Sequence, residues 1–250
     1  MERLKILLKQ FGLWQGIWIF LAELTRKIFD PHNVPSYAQT GEDRIIAAIL
    51  GAQGVKIGFY VDVGCNQPQH WSNTYQLYKR GWRGITIDAI KSLINQHQKL
   101  RQQDVSVCAV VSDRPDPVVF TEFADNLVSS INPSHVEGWK SKSKVAKEYT
   151  LIPRTLTQIL EDCQAPAHFD LLSIDVEGHD FEVLRSLDLN RFQPRLIVIE
   201  MHDFDFTNPQ SNQVYNYLDS YGYQLVAYAV MNSYFLKPAA QVGDLLEFAS

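Results

Sequence analysis

The chain is short of cysteine, of glycine-rich phosphate loops and of positive charge, and each shortage closes off a class of function. Its 250 residues hold three cysteines, Cys65, Cys108 and Cys163, and no CxxC pair. An odd, scattered set excludes a disulfide framework and a cysteine-zinc site, and it fits a reducing cytoplasm. Neither GxGxxG nor GxxxxGK[ST] occurs, so a pyrophosphate cradle and a P-loop are excluded. The net charge is −5 and the basic residues are dispersed, apart from KSKSKVAK at 140–147, which we read as a solvated loop. We therefore expect no nucleic-acid partner. The longest apolar stretch, FGLWQGIWIFLAEL at 11–24, falls short of the roughly 20 residues of a membrane span. It also lacks a small-residue cleavage site, so we expect no leader peptide.

A hydrophobic content of 46% with 20% charged residues suits one large α/β domain with a small appendage. Residues 3–29 read as a single helix, with Leu4, Leu7, Phe11, Trp14, Trp18, Leu21 and Ile28 at spacings of three and four. Ile17, Ile19, Phe20 and Leu24 lie off that stripe. Such a helix packs on its own domain, pairs in a homodimer or lies on a membrane surface. We divide the chain into this extension (1–30) and a domain over 31–250, joined by the linker DPHNVPSY at 30–37. Thr40 with Asp43 resembles a capping box before RIIAAIL.

From residue 58 apolar strands alternate with helices. GFYVDVG (58–64), GITIDA (84–89), VSVCAVV (105–111), FDLLSIDV (169–176) and RLIVIEM (195–201) read as strands, with helices at 72–81, 91–101, 178–187 and 209–221. YQLVAYAV (223–230) and SYFLK (233–237) close the chain as a hairpin. The pattern predicts a mostly parallel seven-stranded sheet with a C-terminal antiparallel hairpin and helices on both faces. Residues 112–154 interrupt the rhythm with two strands (117–123 and 148–153) around a polar stretch. We read them as an insertion at the sheet's carboxyl edge that contacts substrate. Thr155 with Gln158 is a second capping-box pattern.

Ligands of such sheets sit beyond the carboxyl ends of the strands, where the strand order reverses. Asp62 and Gly64 end the first strand there, and Asn66, Ser72 and Asn73 follow in its turn. Gly64 lets a ligand come close, and the lack of further glycines suits a cofactor without phosphates. Asp88 ends the second strand, placed to accept both hydroxyls of a ribose. Ser112 and Asp113, past the third strand, are candidates for an adenine amino group.

Taken together, SYAQTGED (36–43), FYVDVGCNQPQHWSNTY (59–75), GWRGITIDA (81–89), LLSIDVEGHDFEVL (171–184) and PRLIVIE (194–200) resemble the FkbM family of S-adenosylmethionine-dependent methyltransferases. The resemblance covers roughly residues 36–202 and implies a Rossmann-like methyltransferase fold. It implies S-adenosylmethionine as cofactor and, as acceptor, a hydroxyl of a sugar, glycan or secondary metabolite. By the same resemblance Asp62 and Gly64 shape the methionine and ribose pocket, Asp88 takes the ribose diol, and Gln39, Glu42 and Asp43 close over the cofactor. This chain departs from the family in Cys65-Asn66-Gln67-Pro68, where many members carry Ala-Asn-Asp-Gly.

LSIDVEGHD (172–180) places three carboxylates and a histidine at the fourth strand's end, beside Glu200 and His202 of the fifth. Three readings compete. Asp175 or His179 is a general base oriented by Glu177. Alternatively Asp175, Glu177 and Glu200 hold a divalent ion such as Mg²⁺. In the third reading Glu177 and Asp180 merely complement a helix dipole. Trp71, Tyr75 and Trp82 are candidates for a sugar platform, and core packing accounts for Tyr75 and Trp82 equally well. The rival to an enzyme is a non-catalytic scaffold of the same fold, or a glycan-assembly module at the periphery of a membrane.

Overall fold

The computed structural model describes residues 2–29, 34–202 and 204–238. Its centre is a sheet of β1 (Phe59–Val63), β2 (Arg83–Asp88), β3 (Val105–Cys108), β6 (His168–Ile174), β7 (Gln193–Glu200), β8 (Gln224–Ala229) and β9 (Asn232–Leu236). The order is β3-β2-β1-β6-β7-β9-β8, with β9 alone antiparallel to its neighbours. This is the Rossmann-like methyltransferase arrangement expected from the sequence. The strand order reverses between β1 and β6, which opens a crevice at their carboxyl ends.

Alternation along the strands sorts side chains to two cores. Val61, Val63, Ile85, Ile87, Leu172, Ile174, Ile197 and Ile199 face one, and Tyr60, Leu171, Leu196, Val198 and Tyr234 the other. Burying each large apolar side chain is worth about 1.5–3 kcal/mol, so both faces must be covered. One is closed by α7 (Leu156–Asp162), α8 (Asp180–Arg185) and α9 (Gln213–Ser220). The other is closed by α3 (Glu42–Ala52) and α4 (Tyr75–Lys79), and α5 (Lys91–Leu100) links β2 to β3. Tyr75 and Trp82 belong to this second core and not to a sugar platform.

Several local expectations are corrected. Residues 3–29 form two helices, α1 (Glu2–Phe11) and α2 (Leu13–Phe29), folded back on each other at Gly12, whose φ is 78°. Gly16 fits against the backbone of Leu7, where a β-carbon would lie 2.8 Å from the Leu7 carbonyl oxygen. The Thr40–Asp43 capping box does not form: α3 begins after Gly41, and Asp43 accepts from Ser36 Oγ and the Tyr37 N–H. The helix expected at 209–221 is a 3₁₀ turn at Pro209–Ser211 followed by α9, which Asn212 caps. Residues 30–33 of the linker, and with them the boundary at residue 30, lie outside the described residues. The Thr155–Gln158 capping box is present.

The insertion pairs β4 (Val118–Phe123) with β5 (Val145–Leu151) in a separate antiparallel ribbon. Between them lie a 3₁₀ turn (Asn126–Val128) and a helix that the sequence did not suggest, α6 (Pro133–Trp139), capped by Asn132. Among the described residues no helix is long and apolar enough to cross a membrane.

Candidate active site

The crevice is built from strand ends that share backbone hydrogen bonds. The N–H groups of Gly64 and Cys65 donate to the Ile87 carbonyl, and the Asp175 N–H donates to the Val63 carbonyl. Gly64 (φ 79°) is wedged between β1 and β6, and a β-carbon there would stand 1.7 Å from the Asp175 carbonyl oxygen. Only glycine fits the backbone conformation and the space together.

Asp88, the last residue of β2, accepts the Asn66 N–H on one oxygen (3.0 Å) and the Ile90 N–H on the other (2.8 Å). Burial pushes its pKa up to about 6 against these two bonds. It borders a cleft that runs past Gly64 and Asn66 to Asp175, Glu177 and His179. Ala89, Ile90, Val110 and Val111 give it an apolar lining, and Gln39 and Trp71 also border it. Trp71 is 52% exposed at a φ of 54°, which bulky residues seldom adopt.

Other expected cofactor residues lie elsewhere. Asp62 accepts from Thr74 Oγ1, which also accepts from Arg101 (2.9 Å); Arg101 in turn pairs with Asp104 (2.8 Å). Ser72 Oγ receives the Tyr75 N–H, and Asn73 donates to Ser173 Oγ. Asp62, Ser72 and Asn73 thus brace β1 and α4 from the buried side and do not border the cleft. Burial raises the Asp62 pKa, opposed by Arg101. Asp113 pairs with Arg185, and Ser112 Oγ lies 3.0 Å from His179 Nε2. The strand before them ends at Cys108 rather than 111, so Ala109, Val110 and Val111 take the cleft wall in their place. Glu42 accepts the Thr40 N–H within its own loop and Asn232 Nδ2 from β9, tying that loop to the sheet.

The loop from Asp175 to Asp180 holds the acidic groups. Asp180 turns back to accept the Val176 and Gly178 N–H groups, both at 3.0 Å. Glu177 (φ 58°) and Gly178 (φ 85°) are both left-handed, a strain that a non-glycine residue keeps only where its surroundings enforce it. The insertion supplies that force: Ser130 Oγ donates to the Glu177 carbonyl (2.9 Å) and Asn132 Nδ2 to the Gly178 carbonyl. Sequence reasoning missed both clamps. The one local signal was Asn132-Pro133, a helix-start pair.

Burial and mutual repulsion crowd these carboxyls. Asp175 is pushed up to about 7 by burial and then by Asp180, Asp62 and Glu42. Glu177 is pushed up to about 9 by burial, Asp175 and Glu200, and Asp180 to about 7 by burial and Glu200. His179 is held below its ordinary value by burial, with Nδ1 3.6 Å from Glu182. Both its ring nitrogens therefore face protein partners, which leaves Asp175 the freer proton acceptor. Asp175, Asp180 and Glu200 each bring an oxygen within 4.8 Å of the others, a hard-ion donor set. Asp180 stands in this trio where Glu177 was expected, because the left-handed turn carries Glu177 toward His135, 3.7 Å away.

The model for the methyltransferase FkbM domain matches residues 62–225. The chain belongs to this family. The match spans the strand ends from Asp62 to Glu200 and includes the insertion. Among solved structures, the chain is similar to a TehB-like S-adenosylmethionine-dependent methyltransferase from Corynebacterium glutamicum. Identity there is 14%, over 88% of this chain and 97% of that one, with a TM-score of 0.38. It is also similar to 1,6-didemethyltoxoflavin-N1-methyltransferase from Burkholderia thailandensis, solved with 1,6-didemethyltoxoflavin and S-adenosylhomocysteine. Identity is 10%, over 89% of each chain, with a TM-score of 0.41. No curated protein matches. The family assignment rests on the domain match.

Within the FkbM domain, Asn132 joins α6 to the acidic loop. Its Oδ1 caps the Ser134 and His135 N–H groups while its Nδ2 holds Gly178. Asn132→Ala should cost roughly 1–3 kcal/mol in urea denaturation, from a lost cap and a lost part-buried bond. A change within a few tenths of a kcal/mol would show that the clamp contributes nothing.

Proposed function

We propose that this methyltransferase uses S-adenosylmethionine to methylate a hydroxyl of a sugar, glycan or secondary metabolite. The observation that carries the reading is one cleft bordered by both Asp88 and the crowded carboxyls Asp175 and Glu177. The residues present suit this cofactor. Each Asp88 oxygen has one backbone donor and keeps a lone pair for a ribose hydroxyl. The apolar wall at Ile90 and Val110 suits an adenine face, and Gly64 lets β1 and β6 close together beside it. The acidic end suits a cation.

S-adenosylmethionine supplies the methyl group. Asp175, titrating near 7, takes the acceptor hydroxyl's proton; a general base of matched pKa contributes roughly 10²–10⁴-fold. Trp71 at the mouth offers an aromatic face to a sugar ring. We read residues 31–250 as the catalytic domain and 112–154 as the part that meets the acceptor, since Phe120, Leu127, Ser129 and Ile131 border the same cleft.

Calorimetry with S-adenosylhomocysteine tests the reading, and no heat at millimolar ligand would favour the non-catalytic scaffold. Asp88→Asn should weaken that binding by roughly 1.5–3 kcal/mol, the worth of a hydrogen bond to a charged group. An unchanged affinity would take Asp88 out of the site.

A further inference from the structure

The hairpin of α1 and α2 leaves an apolar face in solvent that its own packing does not use. Leu7 is fully buried, and Gln10 Nε2 donates to the Tyr78 carbonyl (3.4 Å) while Glu23 lies 3.5 Å from Lys79 Nζ. These contacts seat one side of the hairpin on α4. On the outward side Leu13, Trp14, Trp18, Leu21 and Leu24 are exposed, the two tryptophans to 77% and 73%. Trp14, Trp18 and Leu21 follow one another at helical spacing, so they form a stripe rather than scattered points. Exposed Ile6 on α1 is flanked by exposed Lys5 and Lys9.

The charge of this segment runs against that of the chain. Residues 1–29 carry Arg3, Lys5, Lys9, Arg26 and Lys27 against Glu2 and Glu23, in a protein with 23 basic and 28 acidic residues. The acidic Glu23 is turned inward to Lys79. We propose that the outward face of the α1–α2 hairpin is an interfacial anchor for a membrane bearing anionic phospholipid headgroups. Tryptophan seats well at the headgroup level, leucine and isoleucine reach the acyl boundary, and lysine pairs with lipid phosphate. At 17 residues α2 is about 25 Å long, too short to span a bilayer of roughly 30 Å, so it lies in the plane of the surface. A second copy of the chain is the weaker partner, because a two-fold interface would set one net-positive hairpin against another.

Co-sedimentation of the full chain with vesicles of phosphatidylcholine and phosphatidylglycerol tests this. The chain should partition onto those vesicles with a blue shift in tryptophan emission, and far less onto pure phosphatidylcholine. Trp14→Ala/Trp18→Ala should lower the partition at least about tenfold, and Lys5→Gln or Lys9→Gln about fivefold each. Both tryptophans are exposed, so the double variant should melt like the parent and bind S-adenosylhomocysteine equally. No partition onto anionic vesicles, equal partition of the double variant, or equal binding to pure phosphatidylcholine would each overturn the proposal. So would sedimentation as a dimer that the double substitution breaks, with no vesicle binding.

Discussion

Gly64→Ala should abolish measurable binding of S-adenosylhomocysteine and destabilise the fold by about 2–5 kcal/mol. Two costs combine. Alanine at a φ of 79° pays about 1–2 kcal/mol for the left-handed conformation. Its β-carbon would also sit 1.7 Å from the Asp175 carbonyl oxygen and 2.7 Å from the carbonyl carbon. Backbone on both sides cannot swing aside like a side chain, so β1 and β6 must part. That stretches the Asp175-to-Val63 hydrogen bond between them and adds an overpacking cost of about 1–3 kcal/mol. Gly81→Ala is the control. Gly81 has a φ of 101° and nothing within 4 Å of where a β-carbon would lie, so it pays the conformational cost alone. Guanidinium denaturation and calorimetry on both variants decide the matter. Equal losses for the two would show that the wedge between the strands is not what Gly64 provides.

Asp175→Asn should lower kcat by about 10²–10⁴-fold while S-adenosylhomocysteine affinity changes only a few-fold. Asparagine keeps the shape and loses the proton acceptor. In the parent, kcat/KM should rise with pH through about 7, the value to which burial and Asp180 push Asp175. Stability should move the other way. A carboxyl whose pKa is raised in the fold favours folding fully below its unfolded pKa, near 4, and loses that contribution as pH climbs through the folded value. The window closes at about 7 for Asp175 and Asp180 and at about 9 for Glu177. The ligand-free protein should therefore melt lower at mildly alkaline pH than at mildly acid pH, and less steeply in Asp175→Asn. A parent whose melting temperature is flat between about pH 5 and 9 would contradict the crowding of these groups.

The sheet was legible because apolar strands buried on both faces read as near-continuous runs, and the hairpin turn is short. Val230, at a φ of 59°, turns that hairpin with Met231 one residue earlier than the sequence suggested. The lining of the candidate cleft was legible only at strand ends. Asp88 is the last residue of β2 and can bend into the cleft. Asp62 lies one residue inside β1, so alternation commits it to the face of Tyr60 and the buried Arg101 network. Sequence identity could not separate the two aspartates, but their distance from the strand end does. The α1–α2 break escaped notice because Gly12 adds only about 1 kcal/mol to a helix that continues. What decides the fold-back is the approach of Gly16 to Leu7, a contact between elements.

The clamps from Ser130 and Asn132 bear on how the domain could be rebuilt. Under the proposed reading, residues 112–154 form the cassette to exchange for another acceptor. Yet two of its side chains hold the left-handed turn at Glu177 and Gly178. A transplant cut at the ends of the ribbon would take the fasteners of the acidic loop along with it. Chimaeras that keep Ser130 and Asn132 and exchange only the ribbon and the helix tip would change the roof without unlatching the floor.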